Sequence, residues 1–222
     1  MHTFETFTNN ILEIKDLSLN FKGNNPDTLI LNHLSFSIRE GEILGLIGNS
    51  GCGKSMTALS ITGLLKSDAQ IKSGSILFNN QDLLKLNDKE KRAIRGKEIG
   101  MIFQEPYTAL DPLMNIYHNL EEVLIEHETL SKTERHDLIV KMLDRVGFTN
   151  SEEILNRFPH ELSGGMRQRA ALARAIITNP DLLIESYSSS HQLAVVEMRF
   201  ISYAGIGLAG VAGLLLLIAF IY

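Results

Sequence analysis

A short glycine-rich stretch has the residue types of a phosphate-binding loop. It consists of Gly48, Asn49, Ser50, Gly51, Cys52, Gly53, Lys54 and Ser55, which fits the pattern G-x-x-x-x-G-K-[ST]. Glycines let backbone N–H groups approach phosphate oxygens, a lysine neutralises phosphate charge, and a serine hydroxyl is a suitable ligand for Mg²⁺. The chain has only one cysteine, so we interpret Cys52 as a spacer without a redox role. The stretch predicts a site that holds phosphate groups.

A second motif lies more than a hundred residues further along the chain. Leu162–Arg169 reads Leu-Ser-Gly-Gly-Met-Arg-Gln-Arg, and it precedes a stretch with helical spacing of apolar residues. Ser163, Gly164 and Gly165 therefore lie at a predicted helix N-terminus, where backbone N–H groups attract anions. The alternative is an ordinary helix that begins with a serine cap.

The elements that must position these motifs form a mixed α/β pattern. Glu42–Ile47 is an apolar run that ends at the phosphate loop, and Ile99–Phe103 is another, as expected for strands of a parallel sheet that are buried on both faces. Turn-forming residues separate shorter β-rich runs, which predict a small antiparallel layer. These shorter runs are Ile11–Phe21, Leu34–Ile38 and Ser75–Phe78.

The middle of the chain changes to a helical period. Apolar residues recur at helical spacing between residues 115 and 158, Ser131 and Glu134 fit a capping box, and Gly147 supplies a helix stop. A further helix is predicted from Gly164 through Ile177, followed by a buried strand that starts at 181–184. The sequence therefore predicts a helical insertion between two strands of the core.

Composition excludes several functional classes. The 222 residues carry 21 Lys and Arg against 26 Asp and Glu, a formal charge of −5, which does not favour nucleic acid as a partner. A single cysteine excludes an intrachain disulfide and is compatible with a reducing compartment. The first residues have neither the basic nor the apolar region of a secretory signal.

Three segments in this order resemble the ABC ATPase family. The phosphate loop is similar to its Walker A motif, Met101–Pro106 to its Q-loop, and Leu162–Arg169 to its signature, and the resemblance covers residues 11–184. The residues of these segments are most similar to those of the branch of the family that energises dipeptide, oligopeptide or nickel uptake. The resemblance implies an α/β P-loop NTPase of ABC type, with a parallel core sheet, an antiparallel β subdomain and a helical subdomain over about 105–165.

The resemblance also implies the roles of individual residues. Phe21 would stack on adenine, while Gln104 would sense Mg²⁺ and the γ-phosphate and contact the membrane partner, so Ser55 and Gln104 are the expected Mg²⁺ residues. Two such domains pair head to tail in this family, and transmembrane permease subunits complete the transporter at the cytoplasmic face of the membrane. The residues expected to contact ATP within the chain are Phe21, Gly48, Asn49, Ser50, Gly51, Cys52, Gly53, Lys54, Ser55, Met56 and Gln104. Those expected to contact ATP of the opposite subunit are Ser163, Gly164, Gly165, Met166 and Gln168.

The chain departs from the family after Ile184. The family continues this strand into Asp-Glu-Pro-Thr, whose two carboxylates hold Mg²⁺ through water and polarise the attacking water. Here Glu185, Ser186 and Tyr187 follow instead, so no catalytic residue is identifiable, and the sequence predicts a chain truncated before Walker B that hydrolyses ATP poorly. Glu185 is interpreted as a solvated linker charge. His191 lies too close to the strand to be the switch histidine.

The end of the chain leaves two interpretations open. Residues 185–199 are predicted to be a linker, and the 23 residues from Phe200 to Tyr222 carry no charge, which is long enough for a membrane anchor. The alternative is an accidental peptide from a frameshift or fusion. The inner strand that the family encodes after Asp-Glu is missing, so we expect a marginally stable domain unless the tail fills the gap. The functional hypotheses are an importer ATPase subunit, a silent tail-anchored nucleotide-binding module, and a non-functional remnant.

Overall fold

The computed structural model of the chain describes residues 10–23, 29–49, 51–102, 109–188 and 195–202. Its first sheet is antiparallel, with strand order β2-β1-β4-β5. Its strands pair antiparallel throughout and bury Leu12, Ile14, Ile76 and Phe78 in the core, which confirms the predicted antiparallel layer. Its strands are β1 (Asn10–Phe21), β2 (Leu31–Arg39), β4 (Ala69–Phe78) and β5 (Gln81–Asp82).

The second sheet carries the phosphate loop and has strand order β3-β8-β7-β6. Strand β6 pairs in parallel with β7, as predicted, because the helical insertion connects them. Strand β8 is antiparallel to both of its neighbours, β3 and β7. The strands of this sheet are β3 (Ile43–Asn49), β6 (Ile99–Ile102), β7 (Leu182–Ser188) and β8 (Val195–Ser202).

Strand β8 fills the gap that the sequence predicted between β3 and β7. Strand β7 continues to Ser188, and β8 includes residues of the predicted linker as well as the first residues of the predicted apolar segment. The prediction of a linker over 185–199 is therefore wrong for 185–188 and 195–199. Without β8, the facing edges of β3 and β7 would leave their backbone N–H and C=O groups unpaired. Pairing with β8 satisfies these groups, since each buried N–H and C=O needs a partner. Residues 203–222 lie outside the described residues.

The helices of the chain have local signals that match their bounds. Ser131 caps its helix by accepting from the Glu134 backbone N–H, while Glu134 accepts from that of Ser131, which confirms the predicted capping box. These hydrogen bonds lower the pKa of Glu134. The helices are α1 (Lys54–Thr62), α2 (Asp88–Ile94), α3 (Ile116–His127), α4 (Lys132–Arg145), α5 (Ser151–Leu155) and α6 (Gly164–Ile176).

Two apolar clusters lie on opposite faces of the β3-β8-β7-β6 sheet. We call them the sheet cluster, which joins the antiparallel layer and α1 to β6 and β7, and the helix cluster, which joins α3–α6 to β7. The sheet cluster includes Leu12, Ile14, Phe78, Ala58, Ile61, Leu182 and Ile184. The helix cluster includes Leu120, Leu124, Ile139, Leu143, Ala173 and Leu183.

Among the residues that the structure describes, strand β3 is covered on one face only, which corrects the prediction that it is buried on both faces. Leu44 and Leu46 pack against the sheet cluster, whereas Ile43 and Ile47 are 53% and 71% exposed. An apolar run does not specify whether a second layer covers it. Within the described ranges, no helix combines the length and the apolar character that crossing a bilayer requires.

Candidate nucleotide-binding site

The phosphate loop joins the end of β3 to the start of α1 and closes around the ammonium group of Lys54. This side chain is only 7% exposed, and its Nζ donates to the carbonyl oxygens of Gly48 and Asn49, at 2.5 and 2.7 Å, and to Cys52 Sγ at 3.1 Å. The helix that follows adds the positive end of its dipole at the same place. The loop therefore concentrates positive charge where an anion can approach the first turn of α1.

Two glycines allow this loop to close. Gly53 caps α1 with φ +97°, in the left-handed region that disfavours side chains. A Cβ atom at Gly53 would lie 2.9 Å from the Ile30 carbonyl oxygen, and one at Gly48 would lie 2.8 Å from Cys52 Sγ. The chain's own packing therefore requires glycine at position 53 and leaves little space at position 48.

The other predicted nucleotide residues differ in how the structure places them. Ser55 is exposed in the first turn of α1, where its hydroxyl is accessible. Met56 is half-buried and packs against the sheet cluster, so its side chain faces the core. Phe21 is half-buried at the end of β1, whose Leu19 carbonyl accepts from the Ile30 N–H beside Gly53. Ser50 and Gln104 lie outside the described residues.

The second motif begins α6 as predicted. Ser163 is the N-cap, and its Oγ accepts from the Met166 N–H at 3.3 Å. Cβ atoms added to Gly164 or Gly165 would meet no described residue within 4 Å. Met166 and Gln168 are half-buried on the first turns of the helix. The motif therefore presents two bare backbone positions on an open surface.

Hydrogen bonds fix α6 against the helical part of the chain. Arg174 Nε donates to the Asn119 carbonyl oxygen at 3.1 Å, and Arg174 pairs with Glu122 at 3.1 Å. Asn119 is buried, and its amide donates to the carbonyl oxygens of Asp111 and Met114. The phosphate loop is attached to the sheet cluster, whereas the second motif is attached to the helix cluster. The two motifs thus belong to different layers of the fold.

The strand that follows α6 does not supply a replacement carboxylate. Glu185 is 1% exposed in β7, so its interpretation as a solvated linker charge is wrong. Neighbouring Leu182 and Ile184 face the sheet cluster and α1, while Leu183 faces the helix cluster. Because side chains alternate along a strand, Glu185 faces away from α1 and the phosphate loop.

Another carboxylate with a perturbed pKa lies at the opposite end of the sheet. Burial raises the pKa of Glu98, and the nearby charge of Asp181 raises it further. Both residues precede their strands, β6 and β7, whereas the phosphate loop follows β3. This pair is therefore not part of the phosphate site.

Sequence reasoning missed two groups that hold α1 in place. Ile30 and Leu31 lie against Gly53, and Arg95 Nη1 donates to the carbonyl oxygens of Thr62 and Gly63 at the end of the helix. No local pattern marks these contacts, because they join segments far apart in the chain. The burial of Glu185 did have a signal, since it continues the apolar run of β7.

Comparisons with known proteins support the assignment of the fold and motifs. The sequence model of the family described as ABC transporter matches residues 31–185. The chain is 43% identical over 175 residues to the oligopeptide transport ATP-binding protein OppD of Bacillus subtilis, covering 78% of this chain and 49% of that protein. It is 42% identical to the dipeptide transport ATP-binding protein DppD of the same organism, covering 78% and 52%. The chain thus spans about half the length of these relatives.

Solved structures give the same result. A dimeric structure of the ATP-binding cassette MJ0796 in a post-hydrolysis state with ADP and Pi aligns with a TM-score of 0.63 and 27% identity, covering 78% of this chain and 72% of that one. The cbiO1 protein from Clostridium perfringens aligns with a TM-score of 0.63 and 25% identity, covering 93% and 72%. The family match includes the phosphate loop, the α6 motif and the strands between which they lie. This chain therefore belongs to the ABC transporter family.

Proposed function

We propose that this chain binds ATP through the loop at Gly48–Ser55 and serves as an ATP-binding subunit of an importer. The observation that carries the proposal is the position of Lys54, whose ammonium group lies inside the loop at the positive end of α1. Phosphate oxygens would meet this charge together with the loop N–H groups. Ser55 and Gln104 would hold Mg²⁺, which neutralises charge on the β- and γ-phosphates.

Replacing the lysine tests nucleotide binding directly. Lys54→Ala should weaken binding of a fluorescent ATP analogue at least about tenfold, because it removes the ammonium group that the loop encloses. Lys141→Ala is the matched control, since Lys141 is an exposed lysine on α4. Titration of both variants with the analogue should show the loss only for Lys54→Ala. Equal affinities would contradict the proposal.

The α6 motif supports pairing with a second ATP-binding subunit. Gly164 and Gly165 face open space as far as the described part of the chain is concerned, so their backbone could approach a ligand held by another molecule. The names of the relatives, oligopeptide and dipeptide transport ATP-binding proteins, favour a peptide importer, with nickel as the further substrate that the sequence suggested. Permease subunits would be the membrane partners, and the site of action would be the cytoplasmic face of the membrane.

We further propose that hydrolysis by this chain is slow. Ser186 and Tyr187 stand where the resemblance implies the Asp-Glu pair, and Glu185 faces the other side of the sheet. Loss of groups that stabilise the transition state lowers turnover by at least about 10²-fold. Phosphate release should be measured against Lys54→Ala as the blank for contaminating ATPases. Turnover of about 1 s⁻¹ or more that Lys54→Ala abolishes would overturn this proposal.

The second candidate function is that of a catalytically silent nucleotide-binding module, which binds ATP without hydrolysis and is anchored to the membrane by its tail. The observation that favours it is the absence of charge from residues 203–222, a length of apolar chain that can cross a bilayer. ATP-analogue binding without turnover, together with flotation on vesicles that survives an alkaline wash, would favour this candidate. Binding without flotation would favour the importer subunit.

A further inference from the structure

Two neighbouring strands of the antiparallel sheet bulge at the same place, close to the phosphate loop. In the first bulge, Asp16 and the residue before it on β1 lie opposite the single residue Ser35 of β2. In the second, His33 and the residue before it on β2 lie opposite Ser18 of β1. The second bulge thus restores the register that the first one shifts. The pairs that bound the two bulges are Ile14 with Phe36, Leu17 with Leu34, and Leu19 with Leu31.

Asp16 and His33 join the two bulges to each other. Both residues have φ +52°, in the left-handed region that residues other than glycine seldom adopt. The Asp16 N–H donates to Ser35 Oγ at 2.8 Å, and the His33 N–H donates to Ser18 Oγ at 3.1 Å. His33 Nδ1 donates to Asp16 Oδ1 at 2.6 Å. Left-handed residues of this kind persist where the surrounding contacts hold them, and they often mark a functional constraint.

The second bulge decides which residue of β2 reaches the phosphate loop. Leu31 pairs with Leu19, and the Ile30 N–H donates to the Leu19 carbonyl oxygen at 2.8 Å. A Cβ atom added to Gly53 would lie 2.6 Å from Leu31 Cδ2 and 2.9 Å from the Ile30 carbonyl oxygen. A slip of one residue turns every side chain of a strand to the opposite face. Without this bulge, Asn32 would pair with Leu19, and Leu31 would turn away from Gly53.

We propose that Asp16 and His33 are positioning residues for the phosphate loop. Their hydrogen bond joins the two bulges and thereby keeps Ile30 and Leu31 against Gly53, at the start of α1. Both side chains are largely exposed, 65% for His33 and 63% for Asp16, so burial of apolar surface does not explain their contact. The consequence for ATP affinity rests on the proposed function, whereas the contact of β2 with Gly53 does not.

The alternative is that burial of Leu31 alone sets the register of β2. Leu31 is 5% exposed and belongs to the sheet cluster, so a slip that exposes it has a cost of its own. In that case the hydrogen bond between Asp16 and His33 is incidental, and its removal would change neither the strand nor the loop. The two explanations therefore differ in what happens when the imidazole is removed.

Replacing His33 by glycine tests the proposal in the full chain. His33→Gly removes the imidazole, while glycine adopts the left-handed conformation without strain. Hydrogen–deuterium exchange of the Ile30 N–H, measured without nucleotide, should become at least about fivefold faster. The affinity for the ATP analogue should fall about three- to tenfold, in buffer where urea denaturation shows the variant to be folded. His118→Ala is the matched control, since His118 is an exposed histidine whose Nδ1 lies 2.7 Å from Asn115 Oδ1 on α3. It should change neither measurement.

A conservative variant separates positioning from a general loss of structure. His33→Asn should keep both measurements within about twofold of the wild type, because asparagine accepts the left-handed conformation and its amide can donate to Asp16. Equal losses for His33→Asn and His33→Gly would overturn the role of this hydrogen bond. Asp16→Gly removes the same bond from the other strand, and it replaces His33→Gly if that variant does not fold.

The two measurements also separate this proposal from the proposed function. Unchanged exchange of the Ile30 N–H in folded His33→Gly would overturn the positioning role. Faster exchange with unchanged affinity would overturn it as well, because the strand would then move without affecting the loop. A wild type that binds the analogue no better than Lys54→Ala would contradict the proposed function, and exchange at Ile30 would still decide whether His33 positions β2.

Discussion

The phosphate loop and the α6 motif both place glycines at the N-terminus of a helix, but for different reasons. Gly53 has φ +97°, and any side chain would collide with the backbone of Ile30. Gly164 and Gly165 have no neighbour among the described residues within 4 Å of an added Cβ. The chain's own fold therefore requires the first glycine and does not require the other two.

This difference separates a glycine that the chain's own fold requires from glycines whose role would lie in contact with another molecule. A glycine in an open helix destabilises the fold relative to alanine by about 0.5–1 kcal/mol, so two of them in the first turn of α6 weaken the isolated chain. Pairing through this surface would give them a role, since bare backbone permits close approach by another molecule. Substitution by alanine distinguishes the two kinds of glycine. At Gly53 both stability and binding of the ATP analogue should fall, whereas at Gly165 stability should rise while association with a second subunit weakens.

The largest effect is expected at the phosphate loop. Gly53→Ala should lower the free energy of unfolding by about 2–4 kcal/mol, because the left-handed conformation and the approach of Ile30 both oppose a Cβ atom. The same variant should lose binding of the ATP analogue. Urea denaturation and analogue titration measure the two effects. Gly147→Ala is a control for the conformation alone, since Gly147 has φ +90° and its Cβ would have one contact, at 3.9 Å. Its loss should be smaller, about 1–2 kcal/mol.

A smaller effect is expected at Gly48, and it can be reversed. The atom that a Cβ would meet is Cys52 Sγ, at 2.8 Å, which belongs to a side chain and not to the backbone. Gly48→Ala should therefore destabilise the chain by about 1–2 kcal/mol. Adding Cys52→Ala should recover most of this loss, as measured by a double-mutant cycle in urea. Additive losses would show that the loop backbone, and not the thiol, limits the space.

Local patterns in the sequence predicted the elements well where neighbours in the chain decide the structure. The capping box at Ser131 and Glu134, the N-cap at Ser163 and the bounds of α6 all depend on residues within one helical turn. The phosphate loop was located for the same reason, since its chemistry lies in eight consecutive residues.

The prediction failed where distant segments decide the structure. The apolar run of β3 gave no sign that the layer of helices stops before it reaches this strand. The segment that becomes β8 resembles a linker and an apolar tail, and only the vacant position between β3 and β7 makes it a strand. Glu185 is the exception, because its position directly after the apolar run 182–184 was a local sign of its burial in β7.

The smallest effect should have the opposite sign and occurs in the α6 motif. Gly165→Ala should raise the free energy of unfolding by up to about 0.5–1 kcal/mol, because alanine favours the helix and has open space for its methyl group. The affinity of the isolated chain for the ATP analogue should stay the same. If a second subunit approaches this backbone, association in the presence of ATP should weaken, as measured by sedimentation velocity. Lys132→Ala, an exposed substitution in the first turn of α4, should leave association unchanged. A destabilised Gly165→Ala variant would mean that this glycine, like Gly53, is required by the chain's own packing.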